Sequence, residues 1–221
     1  MNRLFNYENP VMQFISKIFD LIVLNLFFLL FSIPVVTMGA SLSALYYVSL
    51  KILRGEDPYI WQNFFKAFRQ NFKQATLVWV ILLVASALLG MDFYIINSQD
   101  TVLFAVVRVL LWMIVGILFC IFLYIFPVIS HFFCSTKQAF RNSLYMIIGF
   151  LPYTVIMLAV CGLILYLCTV SARLFAMVIL LSGICGHSVI AFTFCIFFDR
   201  IFRRYEPEED VPVEETGETN I

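Results

Sequence analysis

The sequence is poor in charge. Asp, Glu, Lys and Arg make up 13% of its 221 residues, against 62% hydrophobic, where soluble domains hold about 25% charged residues. Too few polar side chains remain to cover a water-facing surface of this size, so the solvent is largely lipid. Histidine is scarce: His131 and His187 cannot build a three-histidine zinc site. No C-x-x-C pair occurs, and Cys120, Cys134, Cys161, Cys168, Cys185 and Cys195 all lie in or beside apolar runs. They read as free packing thiols, not as a disulfide framework. The phosphate-binding GxxxxGK(S/T), the metalloprotease HExxH and the hydrolase GxSxG are absent. No large basic patch stands outside the apolar segments, so nucleic-acid binding is not expected. The sequence assigns no catalytic residue, cofactor or metal ligand, and the expectation is a protein that is not an enzyme.

What is present is long apolar sequence. No Asp, Glu, Lys or Arg falls between positions 109 and 136, 142 and 172, or 174 and 198. A spanning helix needs roughly 20 such residues, whereas barrel strands alternate over about 10. The fold class is therefore all-α, a polytopic transmembrane helical bundle. Spans are expected at about 18–36, 40–53, 75–96, 102–127, 144–168 and 173–198. Pro34, Thr37 and Gly39 separate the first two, because Pro removes a backbone donor and Gly permits a tight reversal. Ser41, Ser43 and Ala44 suit the second helix to close packing. A variant with five spans would merge 18–53 into one span and a surface helix.

Between the second and third spans, residues 60–74 read as an amphipathic helix. Trp61, Phe64, Phe65, Phe68 and Phe72 share one face, and Lys66, Arg69 and Lys73 share another. Such a helix is expected to lie in the plane of the cytoplasmic interface, aromatics buried and cations toward headgroups, or to pack its aromatics on the bundle. A weaker amphipathic stretch at 131–143 repeats part of it: KAFRQN at 66–71 is echoed by QAFRNS at 138–143. Six spans with both termini inside put twelve of the fourteen Lys and Arg in the cytoplasm, leaving Arg108 and Arg173 outside. Five spans leave ten inside. From Glu206 onward come seven acidic residues and no basic one, so the chain divides into a membrane domain, 1–204, and a disordered acidic tail, 205–221.

Polar groups inside a bilayer are expensive, about 2.5–3.5 kcal/mol for a charge on insertion scales, and each is a candidate for function. The candidates are Asn25 in the first span, Asp92 in the outer part of the third, Arg108 in the fourth and His187 in the sixth, inside SGICGHS. His187 is expected either to hydrogen-bond a neighbouring helix or to face a cavity and handle a proton or ligand. Asp92 and Arg108 are expected to pair across the hairpin of the third and fourth spans, or else to bind an anionic headgroup or solute. Asp20 is placed at the inner interface near Lys17.

LFNYENPVMQF (4–14), NLFFLLFSIPVVTMGASLSALYYV (25–48) and FFKAFRQNFKQA (64–75) resemble the YesL-like family of bacterial integral membrane proteins. The resemblance rests on the P-x-x-T-x-G break, the A-x-Y-Y that follows and the F-x-x-F-R-x-N-F helix. It covers roughly the first hundred residues. It implies a plasma-membrane protein whose partners are the bilayer and a carbohydrate-uptake system or other membrane protein, with an accessory or regulatory role. It brings no catalytic residues. The rival expectations are a small-solute transporter, with Asn25, Asp92, Arg108 or His187 lining the path, and a membrane enzyme acting on lipid-linked substrates.

Overall fold

A computed structural model describes residues 10–56, 59–97, 102–132 and 134–204. The acidic tail, expected to be disordered, lies outside them. The described residues are all-α: α1 (Pro10–Ser32), a 3-10 turn (Val35–Thr37), α2 (Met38–Arg54), α3 (Ile60–Asn97), α4 (Val102–His131), α5 (Thr136–Gly149), α6 (Leu151–Val170), α7 (Ala172–Leu181), a π-turn (Ser182–Gly186) and α8 (His187–Phe202). Among the described residues six stretches are long and apolar enough to cross a membrane, with α7, the π-turn and α8 counting as one. The molecule is a polytopic membrane bundle.

The break after α1 is built as its residue types dictate. Pro34 cannot continue the ladder. The hydroxyl of Thr37 is shared between the carbonyl of Phe31 (2.7 Å), in the last turn of α1, and that of Pro34 (2.8 Å), which also accepts from the Thr37 amide. Gly39 then lets α2 meet α3 at backbone distance: a Cβ there would stand 2.5 Å from the Ala75 carbonyl oxygen and 2.6 Å from the Trp79 Cβ. At its other end α2 stops on Gly55, at φ 72°, a left-handed conformation that glycine adopts without strain.

Helix α2 is the axis of the bundle. It packs against α1, α3, α4 and α8. Its small residues Ala40, Ser41, Ser43 and Ala44 are fully buried, as close packing requires. By contrast α6 buries only Thr154 and Met157, and α7 buries nothing. In a membrane protein those apolar faces meet lipid.

The structure corrects the expectation of a separate in-plane helix at 60–74. Those residues run without interruption into the span, as one helix of 38 residues. At 1.5 Å per residue it is about 57 Å long, well beyond the roughly 30 Å of a hydrocarbon core. The reason is local: no Gly, Pro or cap residue interrupts the helix between Asn71 and Thr76. Side chains also fasten the amphipathic portion to the bundle. Asn71 Nδ2 donates to Ser43 Oγ (3.0 Å), and Gln74 Nε2 donates to the Cys134 carbonyl (2.9 Å). The aromatic face is divided. Phe64 is buried and Phe68 half-buried against Phe27 and Phe31 of α1, with centroid distances of 5.1 to 6.0 Å for Phe27–Phe64, Phe31–Phe64 and Phe31–Phe68. Trp61, Phe65 and Phe72 remain exposed.

The other boundaries shift for identifiable reasons. Helix α4 passes through Pro127 to His131. The second amphipathic stretch starts only at Thr136, where Ser135 and Gln138 form a reciprocal capping box. The fifth span starts at Leu151, because Pro152 belongs in a first turn. The sequence echo has a structural counterpart: α3–α4 and α5–α8 each begin with a basic amphipathic turn, rise through an apolar helix and return. Ala67 and Ala139 of the echoed segments are both buried, and Arg69 and Arg141 are both exposed.

Candidate functional site

Two polar assemblies stand out in an otherwise apolar molecule. The first joins α1 to the π-turn. A π-turn widens the helix and takes carbonyls off the regular ladder, and such turns concentrate at functional positions. Here the freed groups are Ser182 and Gly183, and Asn25 Nδ2 donates to both carbonyls at 3.0 Å. Asn25 Oδ1 accepts from the Ser188 amide at 3.3 Å. The Ser188 hydroxyl lies 2.6 Å from the Leu21 carbonyl and 2.9 Å from that of Cys185. Asn25 and Ser188 are both fully buried. His187, half-buried, places Nδ1 3.1 Å from the Ser182 carbonyl and its ring 5.0 Å from that of Phe28. The sequence named Asn25 and His187 separately; the fold brings them to one junction. Gly186 sits inside the π-turn, where a Cβ would come 3.1 Å from the Leu181 carbonyl oxygen.

The second assembly is ionic and was missed by sequence reading. Asp199, buried near the end of α8, takes Arg54 Nε on one oxygen at 2.7 Å and Arg203 Nε on the other at 2.8 Å. It closes the base of α2 onto α8. The signal was a lone acid after a long uncharged run, but the partner lies 145 positions away, a separation no helical spacing reveals. A small polar pocket of about 140 Å³ lies between α2, α3 and the end of α4, lined in part by Tyr47, Lys66, Gln70, Asn71 and His131. Lys66, Arg69 and Lys73 are exposed on α3 as their face predicted.

Asp92 and Arg108 do not pair. Asp92 is exposed, Arg108 is half-buried, and no ion pair joins them among the described residues. Arg108 Nε is enclosed with no hydrogen-bond partner there. Between the far halves of α3 and α4 lies an apolar cavity of about 500 Å³. Asp20 lies half-buried in α1. Among the described residues no group of three His, Cys, Asp or Glu is placed to hold a metal ion.

Residues 21–93, from within α1 through most of α3, match the model of a family described as Protein of unknown function, DUF624. Over this segment, a third of its length, the chain is similar to the DUF624, or YesL-like, family. The matched DUF624 segment holds the P-x-x-T-x-G break, the central helix α2 and Asn25, Ser43, Arg54 and Asn71. The partners Ser182, Ser188 and Asp199 fall outside it. The chain is also similar to the uncharacterized protein YteU of Bacillus subtilis (strain 168), 28% identical over 136 residues. That match covers 61% of this chain and 60% of the relative, less than two thirds of its length. No solved structure matches.

Proposed function

We propose that the protein is a non-enzymatic membrane component that assists or regulates a carbohydrate- or solute-uptake system and does not itself carry the solute. The supporting observation is how the intramembrane polar groups are distributed. Asn25 and His187 are consumed in the clasp on the π-turn. Asp92 and Arg108 sit on the far halves of α3 and α4, and none of the four lines the 500 Å³ cavity. A solute path requires such groups to converge on one wet cavity. The π-turn is the one feature that favours a transporter, since interrupted helices form midplane sites, but its freed carbonyls are already occupied by Asn25.

In this reading both termini are cytoplasmic, on the cation count, and Lys66, Arg69 and Lys73 form the face offered to the partner. Cysteines placed at the exposed Leu103, at the loop end of α4, and at the exposed Tyr59 should then react with an impermeant maleimide from outside and inside respectively; labelling of both from one side overturns the orientation. The functional test compares the protein alone with native membranes. Proteoliposomes holding only this chain should take up labelled sugars no faster than empty vesicles. Crosslinking in native membranes should recover an uptake protein, and a charge reversal of Lys66, Arg69 and Lys73 should lose it. Flux through the protein alone overturns the proposal.

A further inference from the structure

We propose that the cavity between α3 and α4 holds an acyl chain of a bilayer phospholipid whose phosphate is bound by Arg108. Trp79 donates its indole N–H to the Val35 carbonyl at 2.7 Å, so the tip of the α1–α2 hairpin meets α3 halfway along. Beyond it, residues 80–97 rise about another 27 Å beside α4. Two aromatic pairs bracket the space between these helices: Trp79 with Phe122 at the inner end (6.1 Å), and Phe93 with Trp112 at the loop end (5.1 Å). Between them α3 turns Ser86 and Gly90 to the cavity, and a Cβ on Gly90 would meet nothing within 4 Å. The volume of about 500 Å³ is within the range of about 300–1,000 Å³ typical of small-molecule sites.

The apolar walls define the tail of the ligand, and Arg108 defines its head. Arg108 does not line the cavity itself but lies one helical turn beyond Trp112 of the lining, on the same side of α4 and toward the loop end, where headgroups lie when α3 and α4 span. Its Nε is enclosed and has no partner among the described residues. A guanidinium held there without an anion is unfavourable, and phosphate is its best-matched oxyanion. The long apolar slot with a cation at its mouth thus fits an amphiphile with an anionic head, and the phospholipid at that depth supplies both parts.

The full chain, delipidated in mild detergent, is titrated with dioleoylphosphatidylglycerol and with diolein, which has the same chains and no phosphate. Bound lipid is counted by native mass spectrometry. The phospholipid should bind about tenfold more tightly than diolein, the effect of one charge-assisted hydrogen-bonded contact. Arg108→Gln should bring it down to the diolein level, and Arg108→Lys should retain part of the preference. Gly90→Leu, which fills the cavity, should weaken both lipids. Gly116→Leu, which also adds a side chain in open space on α4 but outside the cavity, should change neither. Ser86→Leu replaces Gly90→Leu if that variant does not fold. Equal binding of the two lipids by the unaltered chain, or unchanged binding after the cavity is filled, overturns the proposal. So does a dimer that Gly90→Leu abolishes, since a helix and not a lipid would then fill the space.

Discussion

Replacing Asn25 with alanine should destabilise the bundle by about 3 kcal/mol, with each stranded buried group costing about 1–3 kcal/mol before relaxation. The side chain makes three hydrogen bonds, two to carbonyls of the π-turn and one from the Ser188 amide. Its removal takes a partner from all three where no water replaces it, and the Ser182 carbonyl keeps another, His187 Nδ1 at 3.1 Å. Single interhelical bonds in membranes average only about 0.6 kcal/mol because the separated helices find other partners. Asn25 is set apart because one side chain holds three groups at once, two of them carbonyls of the π-turn. Asn25→Asp should be worse than alanine, since it points oxygens at two carbonyl oxygens and adds a charge at a fully buried position. Ser188→Ala should cost only about 1 kcal/mol, the worth of one ordinary hydrogen bond. Thermal unfolding in detergent, read by the reaction of the buried Cys195 thiol, measures all three. An alanine variant as stable as the original sequence would show that the π-turn does not depend on its clasp.

Asp199→Ala should cost about 3 kcal/mol, since it removes two short charge-assisted hydrogen bonds at a buried carboxylate. Arg54, whose side chain is 22% exposed, loses its 2.7 Å bond to the carboxylate. Arg203 is the contrast. Its side chain is 66% exposed though its bond to Asp199 is almost equally short, and exposed pairs contribute about 0–1 kcal/mol. Arg203→Ala should therefore be nearly silent. A combined Arg54→Met and Asp199→Leu variant should recover much of the loss, because well-packed apolar residues often replace a buried pair at little cost. Equal effects from Arg203→Ala and Asp199→Ala in the same unfolding measurement would refute this division.

Much of the candidate site was half visible in the sequence. Asn25 and His187 stand out because a polar residue in an apolar run is conspicuous wherever it points. Their shared junction was not legible, since it depends on α1 docking against a helix more than 150 positions later. The Asp199 triad was missed for the same reason. The pairing of Asp92 with Arg108 failed differently. Both residues were placed on the correct hairpin, but their rotation about α3 and α4 decides whether they meet, and a cavity opens between those helices instead.

The sequence by itself determined that this is a helical membrane protein, where its apolar segments run, and that Pro34, Thr37 and Gly39 divide the first two. These follow from composition and from residue types that act on their own backbone within a turn or two. It also determined that Lys66, Arg69 and Lys73 lie on one exposed face, since helical periodicity alone sets that. Only the tertiary structure decided that residues 60–74 continue as the base of a 38-residue helix, that α2 is the buried axis, and that Asn25 satisfies a π-turn. An aromatic stripe is equally stable against lipid and against Phe27 and Phe31. A helix without a breaker can bend or run straight. Which outcome holds depends on neighbours that bring distant segments together, and that information is not carried in local sequence.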